Sequence, residues 1–463
     1  MAPSDEGTKE PSRRRPSQAV SRGEAGAVEV GRPRGSGEPE PRLLRTPRAP
    51  RRRPVRRRIL FLATIAGPGL IAAAAGNDAG GIVTYSSAGS QYRYRTLFLM
   101  LLIGIGLALV QEMSARLGAI SGKGLASLIR EEFSIRLTSL ALGALVIANV
   151  GIVVSEFAGI ATAFELFGVS RYITVPISAV AIWLLVLLGS YRYAERVFLL
   201  LTVAFFAYPV AAALSHPKWS TVASSVVIPH LVSNKAFVLL AVALIGTTIS
   251  PYMQLYNASA VVDRGIGPEE YPLERIDAVA GAGFATFISW SIIIATGAAI
   301  GGSGVLTSAK EAAHALRPVA GPAAVILFGL GLLGASALAA AVVPLSTSYA
   351  LAEAIGVERS VSRSFRQAPL FLGLFTAQII IGVIVTLTPI NLISLLIGTQ
   401  VVQGLVTPIT LTFIVVLANR KSVLGKWANG PILKVVSAVV TVVVSFMAVL
   451  LVVVTILPAI GIK

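Results

Sequence analysis

Long apolar segments limit most strongly what this chain can fold into, because they recur along most of its 463 residues. A run of about 20 apolar residues is long enough to cross the hydrocarbon core of a bilayer as an α-helix. Only 13% of the residues are charged, whereas a typical soluble domain has about 25%. The sequence therefore predicts an all-α polytopic membrane protein with eleven transmembrane helices, at residues 59–86, 96–115, 138–167, 172–190, 196–214, 237–262, 277–301, 322–355, 369–387, 391–418 and 433–458.

The first 58 residues differ from the rest because they hold 16 of the 39 Lys and Arg residues and no aromatic residue. They are rich in Pro, Gly, Ser and Glu, and a segment of that composition does not bury a core. They also lack the apolar stretch of a secretory signal. We predict that residues 1–58 form a disordered cytoplasmic tail that contacts anionic lipid of the bilayer, with no nucleic-acid partner.

Basic residues are unevenly divided between the loops on the two sides of the membrane. With a cytoplasmic N-terminus, the cytoplasmic loops carry 15 Lys and Arg residues and the opposite side carries 8. Cytoplasmic loops are normally the more basic ones. The sequence therefore predicts a multi-pass plasma-membrane protein with its N-terminus in the cytoplasm and its C-terminus outside.

An acidic residue interrupts the first predicted span. Asp78 lies in the segment Ala72–Gly81, whose other members are alanines, glycines and Asn77. A charged side chain at the centre of a membrane helix costs about 2.5–3.5 kcal/mol on insertion scales, so such residues are rare and usually functional. The neighbouring glycines allow the backbone to leave helical geometry and expose its carbonyl oxygens. We therefore predict a broken first helix with a cation site at Asp78.

The sixth predicted span contains a second interruption, at Pro251 in Gly246-Thr-Thr-Ile-Ser-Pro-Tyr252. Proline lacks a backbone donor and clashes with the preceding turn, so the helix kinks or breaks there. Interrupted helices at equivalent positions of two halves are typical of inverted-repeat transporters. Five spans is an odd number, so the second half is inverted relative to the first. We expect repeats at residues 59–214 and 237–418 within a core of 59–430, followed by an added span 11 in 431–463.

The residue types in the spans argue against an enzyme. The chain has no cysteine, and its three histidines, His216, His230 and His314, all lie in predicted extracellular loops. No His-Glu-x-x-His motif occurs, and Asp78 has no evident carboxylate partner. The lack of histidine within the spans also argues against proton coupling, because histidine is the side chain best suited to relay protons near neutral pH.

Several motifs occur in the order found in a known transporter family. They are the Asp78-Ala-Gly-Gly81 break, Glu156 in the third span, Gly67-Pro-Gly69, Gln111-Glu-Met-Ser-Ala-Arg-Leu-Gly118, Gly122-Lys-Gly-Leu-Ala126, Gly246-Thr-Thr-Ile-Ser-Pro251, and Thr399-Gln-Val-Val402 with Pro408. Over about residues 59–430 the chain resembles the NRAMP family of divalent-metal transporters. The resemblance implies a LeuT-type 5+5 inverted-repeat fold and a divalent metal ion as the transported substrate, with no resident cofactor.

The chain departs from the family pattern at the residues that would hold the ion. The family's first-span motif Asp-Pro-Gly-Asn here ends in Gly81, and its sixth-span Met-Pro-His is replaced by Ser250-Pro251-Tyr252. A second family histidine falls at Asn257, and an aspartate before the third-span glutamate falls at Val153. The acid is kept while the thioether and the histidines are lost. This pattern resembles the divergent NRAMP-related magnesium transporter branch.

The remaining candidate ligands are all oxygens. We expect the metal site to comprise the Asp78 carboxylate, backbone carbonyls near Ala75 and Thr247, and the Ser250 hydroxyl, with Gly81 widening the cavity. Oxygen ligands suit magnesium, calcium and manganese, whereas thioethers favour softer metals. Magnesium keeps several of its waters, so a roomy oxygen-lined site favours a partly hydrated Mg²⁺. The transport pathway is expected to include Asn77, Glu156, Tyr252, Asn257, Gln400 and Gln403.

These features together predict a secondary transporter or facilitator of Mg²⁺ that works by alternating access without proton coupling. Two alternatives keep the same fold. One is a proton-coupled NRAMP-type transporter of Mn²⁺ or another transition metal. The other is an amino-acid/cation symporter, against which Asp78 argues because an anionic substrate prefers helix N-termini without a competing acid.

Overall fold

The computed structural model describes residues 78–187, 203–230, 232–356 and 368–459. Every regular element within these ranges is a helix, which agrees with the predicted all-α class. The α-helices are α1 Ala79–Tyr92, α2 Leu97–Ser121, α3 Leu125–Glu132, α4 Ile135–Leu166, α5 Arg171–Leu187, α6 Ala207–Leu214, α7 Trp219–Val227, α8 Lys235–Thr248, α9 Pro251–Asp263, α10 Tyr271–Ile300, α11 Ala309–Ala313, α12 Arg317–Ala320, α13 Ala324–Ile355, α14 Pro369–Thr386, α15 Leu392–Asn419, α16 Lys421–Leu424 and α17 Pro431–Ala459.

The long helices follow the predicted spans to within a few residues. Eight helical stretches of the described chain are long and apolar enough to cross a membrane, and α5 is apolar but shorter. The predicted count of eleven is not reached among these residues. One reason is that most of the predicted first span, residues 59–77, and part of the fifth, residues 196–202, lie outside the described ranges. The predicted tail, residues 1–58, lies outside them as well.

The sixth predicted span is broken in its middle, as its proline predicts. Helix α8 ends at Thr248 and α9 begins at Pro251, with Ile249 and Ser250 in non-helical backbone between them. Proline suits the first position of a helix because the N–H that it lacks would have no partner there. All four residues are buried. Two helix ends, with their unpaired backbone groups, therefore meet inside the helical bundle.

Two glycines bring the first half of the broken span against α15. A Cβ at Gly246 would lie 2.1 Å from the carbonyl oxygen of Gln400, and a Cβ at Gly404 would lie 2.2 Å from that of Val242. Neither position has room for a side chain, so the backbones of α8 and α15 are in direct contact. Small residues at helix contacts are the usual means of close approach in membrane proteins. This contact places the polar side chains of α15 beside the break.

Candidate metal site

Asp78 is the N-terminal cap of α1 and lies at the centre of a polar cluster. Its Oδ1 accepts a hydrogen bond from the backbone N–H of Gly81 at 2.6 Å and one from the Thr247 hydroxyl at 3.4 Å. Its Oδ2 accepts from Gln400 Nε2 at 3.5 Å. An aspartate commonly caps a helix because its oxygen satisfies an N–H of the first turn. The same carboxylate thus contacts the start of α1, the end of α8 and the middle of α15.

Asp78 is one of two buried acids among the described residues that lack a basic partner. Four carboxylates are buried among the described residues, and two of them pair with arginines: Glu112 with Arg116 at 3.3 Å and Glu274 with Arg264 at 3.0 Å. The other two are Asp78 and Glu156, and neither has an ion pair within the described part of the chain. Buried charges are normally paired or bind a metal. The two buried acids without an ion pair are therefore the features that point to a cation.

Glu156 lies in α4 and is completely buried. No basic side chain pairs with it among the described residues, and the hydrogen-bonding groups next to its carboxylate are the backbone N–H of Ala79 in α1 and the buried hydroxyl of Ser336 in α13. One turn along α4, a Cβ at Gly159 would lie 2.4 Å from Ala79 Cβ and 2.2 Å from Ser336 Oγ. Helix α4 therefore contacts both α1 and α13 at this level, and Glu156 lies next to the residue that follows Asp78.

The sixth-span side of the cluster is joined to Asp78 through α15. The Ser250 hydroxyl donates to Gln403 Oε1 at 2.7 Å, and Gln403 Nε2 donates to Gln400 Oε1 at 2.7 Å. Gln400 Nε2 also contacts Ser155 Oγ at 3.4 Å. Gln400 and Gln403 are completely inaccessible to solvent. The structure thus brings five predicted residues into one cluster, namely Asp78, Thr247, Ser250, Gln400 and Gln403.

The other predicted residues are outside this hydrogen-bonded cluster or outside the described ranges. Asn257 donates through Nδ2 to the carbonyl of Gln111 at 3.0 Å, so its amide is used in a contact between α9 and α2 rather than in the Asp78 cluster. Tyr252 is buried in the first turn of α9, close enough to Asp78 and Glu156 to interact electrostatically with both. Ala75 and Asn77 lie outside the described residues.

The wider cavity expected at Gly81 is absent. A Cβ at this position would lie 2.7 Å from Thr247 Oγ1 and 2.8 Å from Asp78 Oδ1. The space that a longer side chain would use is filled by Thr247, which comes from the other broken span, and by the carboxylate itself. The position requires glycine because a Cβ has no room there, and its backbone N–H makes the short hydrogen bond that holds Asp78.

Two residues of this region were not predicted from the sequence. Ser155 contacts Gln400, and Gly80 allows that contact because a Cβ there would lie 1.8 Å from Gln400 Nε2. Both are adjacent in sequence to residues that were predicted, Glu156 and Gly81. Their roles depend on contacts with α15, more than 240 residues away, and no local pattern predicts such contacts.

The cluster offers one carboxylate and several neutral oxygens to a cation. Among the described residues no group of three or more His, Cys, Asp or Glu side chains could hold a metal ion. Firmly held structural metals use about four or more protein ligands. A single carboxylate with hydroxyl and amide oxygens suits a hard cation that is bound and released.

Known proteins are similar to this chain over most of its length. The sequence profile of the family described as natural resistance-associated macrophage protein-like (Nramp) matches residues 69–454. A relative from Aeromonas hydrophila, the divalent metal cation transporter MntH, is 29% identical over 398 residues, which cover 82% of this chain and 93% of the relative. The protein of the same name from Yersinia pestis is 32% identical over 294 residues, covering 61% and 70% of the two chains.

Solved structures share the fold. The manganese transporter of Eremococcus coleocola, in complex with an aromatic bis-isothiourea compound, superposes with a TM-score of 0.69 at 20% identity, covering 85% of this chain and 86% of that one. MhsT in complex with L-phenylalanine gives a TM-score of 0.51 at 16% identity, covering 83% and 98%. Both likenesses concern the fold, which is of the LeuT type that the family resemblance implied.

Proposed function

This chain belongs to the Nramp family of transporters, and we propose that it carries Mn²⁺ across the membrane through the cluster around Asp78. It is a multi-pass transporter of divalent metal cations rather than an enzyme. The single observation that carries the choice of site is the buried Asp78, without an ion pair among the described residues, at the N-terminus of α1. The identity of the transported ion, the absence of proton coupling and the orientation of the protein in the membrane are our proposal.

The choice of Mn²⁺ rests on the relatives together with the ligand types. The comparisons favour the manganese alternative over the magnesium prediction, because the relatives are named divalent metal cation transporters and the structure of similar fold is a manganese transporter. The ligands at the cluster are carboxylate, hydroxyl and amide oxygens, and such ligands suit Mn²⁺ as well as Mg²⁺. A site without sulfur is therefore compatible with manganese.

Mg²⁺ remains the second candidate because of one observation. Ser250 stands where the resemblance places a methionine, and its hydroxyl lies in the buried cluster, bonded to Gln403. Loss of a thioether ligand lowers the affinity of a site for softer metals more than its affinity for hard metals. The lack of space at Gly81 counts against a largely hydrated Mg²⁺, since Thr247 and Asp78 fill that volume.

We propose that transport proceeds by alternating access without proton coupling. The start of α1 and the halves α8 and α9 would move relative to α4 and α13, opening the Asp78 cluster to each side in turn. None of the three histidines lies in a helix that contributes to the cluster. At an inside-negative potential each positive charge gains about 2.3 kcal/mol per 100 mV, so a divalent cation enters without a coupled proton. We propose that the N-terminus is cytoplasmic, with the basic tail near anionic lipid.

Purified protein in proteoliposomes tests the ion and the coupling together. We expect saturable uptake of micromolar Mn²⁺ with an inside-negative potential, and no change of internal pH that follows uptake. Millimolar Mg²⁺ is added as competitor in one arm and as sole substrate in another. Uptake of Mg²⁺ with no uptake of Mn²⁺ would establish the second candidate instead, and acidification in proportion to Mn²⁺ uptake would contradict the absence of proton coupling.

A further inference from the structure

We infer that Gln403 and Ser250 are positioning residues that set which end of the Gln400 amide faces Asp78, and that their hydrogen bonds reverse direction when a cation binds. This inference deepens the proposed function and rests on it for the presence of a cation at Asp78. We call the chain formed by Ser250, Gln403 and Gln400 the amide relay.

The amide relay has a direction in the structure. Ser250 donates to Gln403 Oε1, Gln403 Nε2 donates to Gln400 Oε1, and Gln400 Nε2 points at Asp78 Oδ2. Each donor is followed by an acceptor on the same side chain, so the orientation of one amide determines the orientation of the next. At its end a positively polarised NH₂ group faces the carboxylate.

A cation at Asp78 reverses which end of the Gln400 amide is favoured beside the carboxylate. An NH₂ group directed at the carboxylate is repelled by a nearby cation, whereas the amide oxygen is attracted to it. Rotation of the Gln400 amide by half a turn would present Oε1 to the ion and turn Nε2 towards Gln403. Two donors would then face each other unless the Gln403 amide also rotates. The rotation of one amide therefore requires the rotation of the other.

Ser250 allows the reversed chain to keep all its hydrogen bonds. After both rotations Gln403 Nε2 points at Ser250 Oγ, and a hydroxyl accepts a hydrogen bond as readily as it donates one. Alanine or methionine at this position would leave a buried amide group without a strong partner. Such a group costs about 1–3 kcal/mol. Gln400 and Gln403 are completely buried and Ser250 is 3% exposed, so solvent does not replace these partners.

Ser155 fits the same scheme at the other end. Its hydroxyl accepts a hydrogen bond from Gln400 Nε2 at 3.4 Å. In the reversed state it donates to Gln400 Oε1. Hydroxyls therefore flank the pair of amides, at Ser155 in α4 and at Ser250 in the break between α8 and α9. The relay connects α4, α15 and the sixth-span break, which are elements that alternating access moves relative to each other.

A double-mutant cycle distinguishes this role from direct metal binding by Ser250. We expect Gln403→Leu to raise the KM for Mn²⁺ uptake about tenfold with Vmax within about twofold of wild type, because loss of one buried hydrogen-bonding partner is worth about a factor of ten. Ser250→Ala alone should raise KM about threefold. In the Gln403→Leu background, Ser250→Ala should have no further effect, because its only route to the site is gone.

Gln378→Leu is the matched control. Gln378 is a buried glutamine of α14 whose Nε2 donates to the carbonyls of Leu374 and Pro344, and none of its hydrogen bonds reaches the cluster. Its replacement should leave KM unchanged. Additive effects of Gln403→Leu and Ser250→Ala on KM would overturn the relay, because Ser250 would then act on the ion independently.

Thermal unfolding of the metal-free protein tests the relay without transport. The relay predicts that Gln403→Leu and Ser250→Ala together lower the Tm by less than the sum of their separate effects, since both break the same chain of bonds. Additive Tm changes would overturn it. Absence of both Mn²⁺ and Mg²⁺ uptake by the wild-type protein would overturn the proposed function instead. The Tm values of the single and double variants would still show whether the amide relay exists.

Discussion

Asp78→Asn is expected to abolish Mn²⁺ uptake while the protein folds normally. Asparagine is as good a helix cap as aspartate, and it keeps the shape that accepts the Gly81 N–H, so α1 should start at the same residue. The substitution removes the negative charge that attracts the cation. Loss of one member of a buried charge pair costs about 2–5 kcal/mol, which corresponds to at least about a 30-fold loss of uptake.

Uptake into proteoliposomes and thermal unfolding measure the two parts of this prediction. Asp263→Asn is the matched control, because Asp263 ends α9 and is exposed. It should transport like the wild type. Undiminished Mn²⁺ uptake by Asp78→Asn, at equal protein content of the vesicles, would remove Asp78 from the metal site and with it the central part of the proposed function.

Gly404→Ala is expected to destabilise the protein more than other small changes in the same helix. The new methyl group would lie 2.2 Å from the carbonyl oxygen of Val242, and this atom belongs to the backbone and has no side-chain freedom to move away. Overpacking of this kind costs about 1–3 kcal/mol or more. Separation of α8 from α15 would also move Gln400 and Gln403 away from the break, so uptake should fall along with the Tm.

Gly398→Ala is the control for this prediction, because Gly398 lies in the same helix, α15, and a Cβ there meets nothing within 4 Å. Alanine is favoured over glycine within a helix by roughly 0.5–1 kcal/mol, so this variant should be equally or more stable than the wild type. A Gly404→Ala variant that unfolds at the wild-type temperature would show that α8 and α15 are not in direct backbone contact.

The break in the sixth span could be predicted from the sequence because its cause is local, while the predicted break in the first span involves residues before 78, outside the described ranges. A proline such as Pro251 interrupts the run of backbone hydrogen bonds wherever it occurs in a helix. An aspartate beside glycines, such as Asp78, is unfavourable inside a helix and favourable as its N-terminal cap. The bounds of most spans were predictable for a similar reason, since the length of an apolar run sets the length of a membrane helix.

The size of the cavity and the pairing of the polar groups were not predictable. The expectation of extra space at Gly81 considered only the side chain that is missing there. Thr247, 166 positions along the chain, fills the same volume from the opposite break. Gln403 was predicted for the pathway, but its bonds to Ser250 and Gln400 depend on the close approach of α8 and α15 at Gly246 and Gly404.

The sequence by itself determined the class of this protein and the place of its acid. The length of an apolar run, a proline and an isolated carboxylate each affect the structure through the solvation and hydrogen bonding of a few neighbouring residues. The tertiary structure decided which oxygens face Asp78, how little room surrounds it and in which direction the amides beside it point. Those properties arise where helices distant in sequence come into contact, and the energy of such a contact depends on both partners at once.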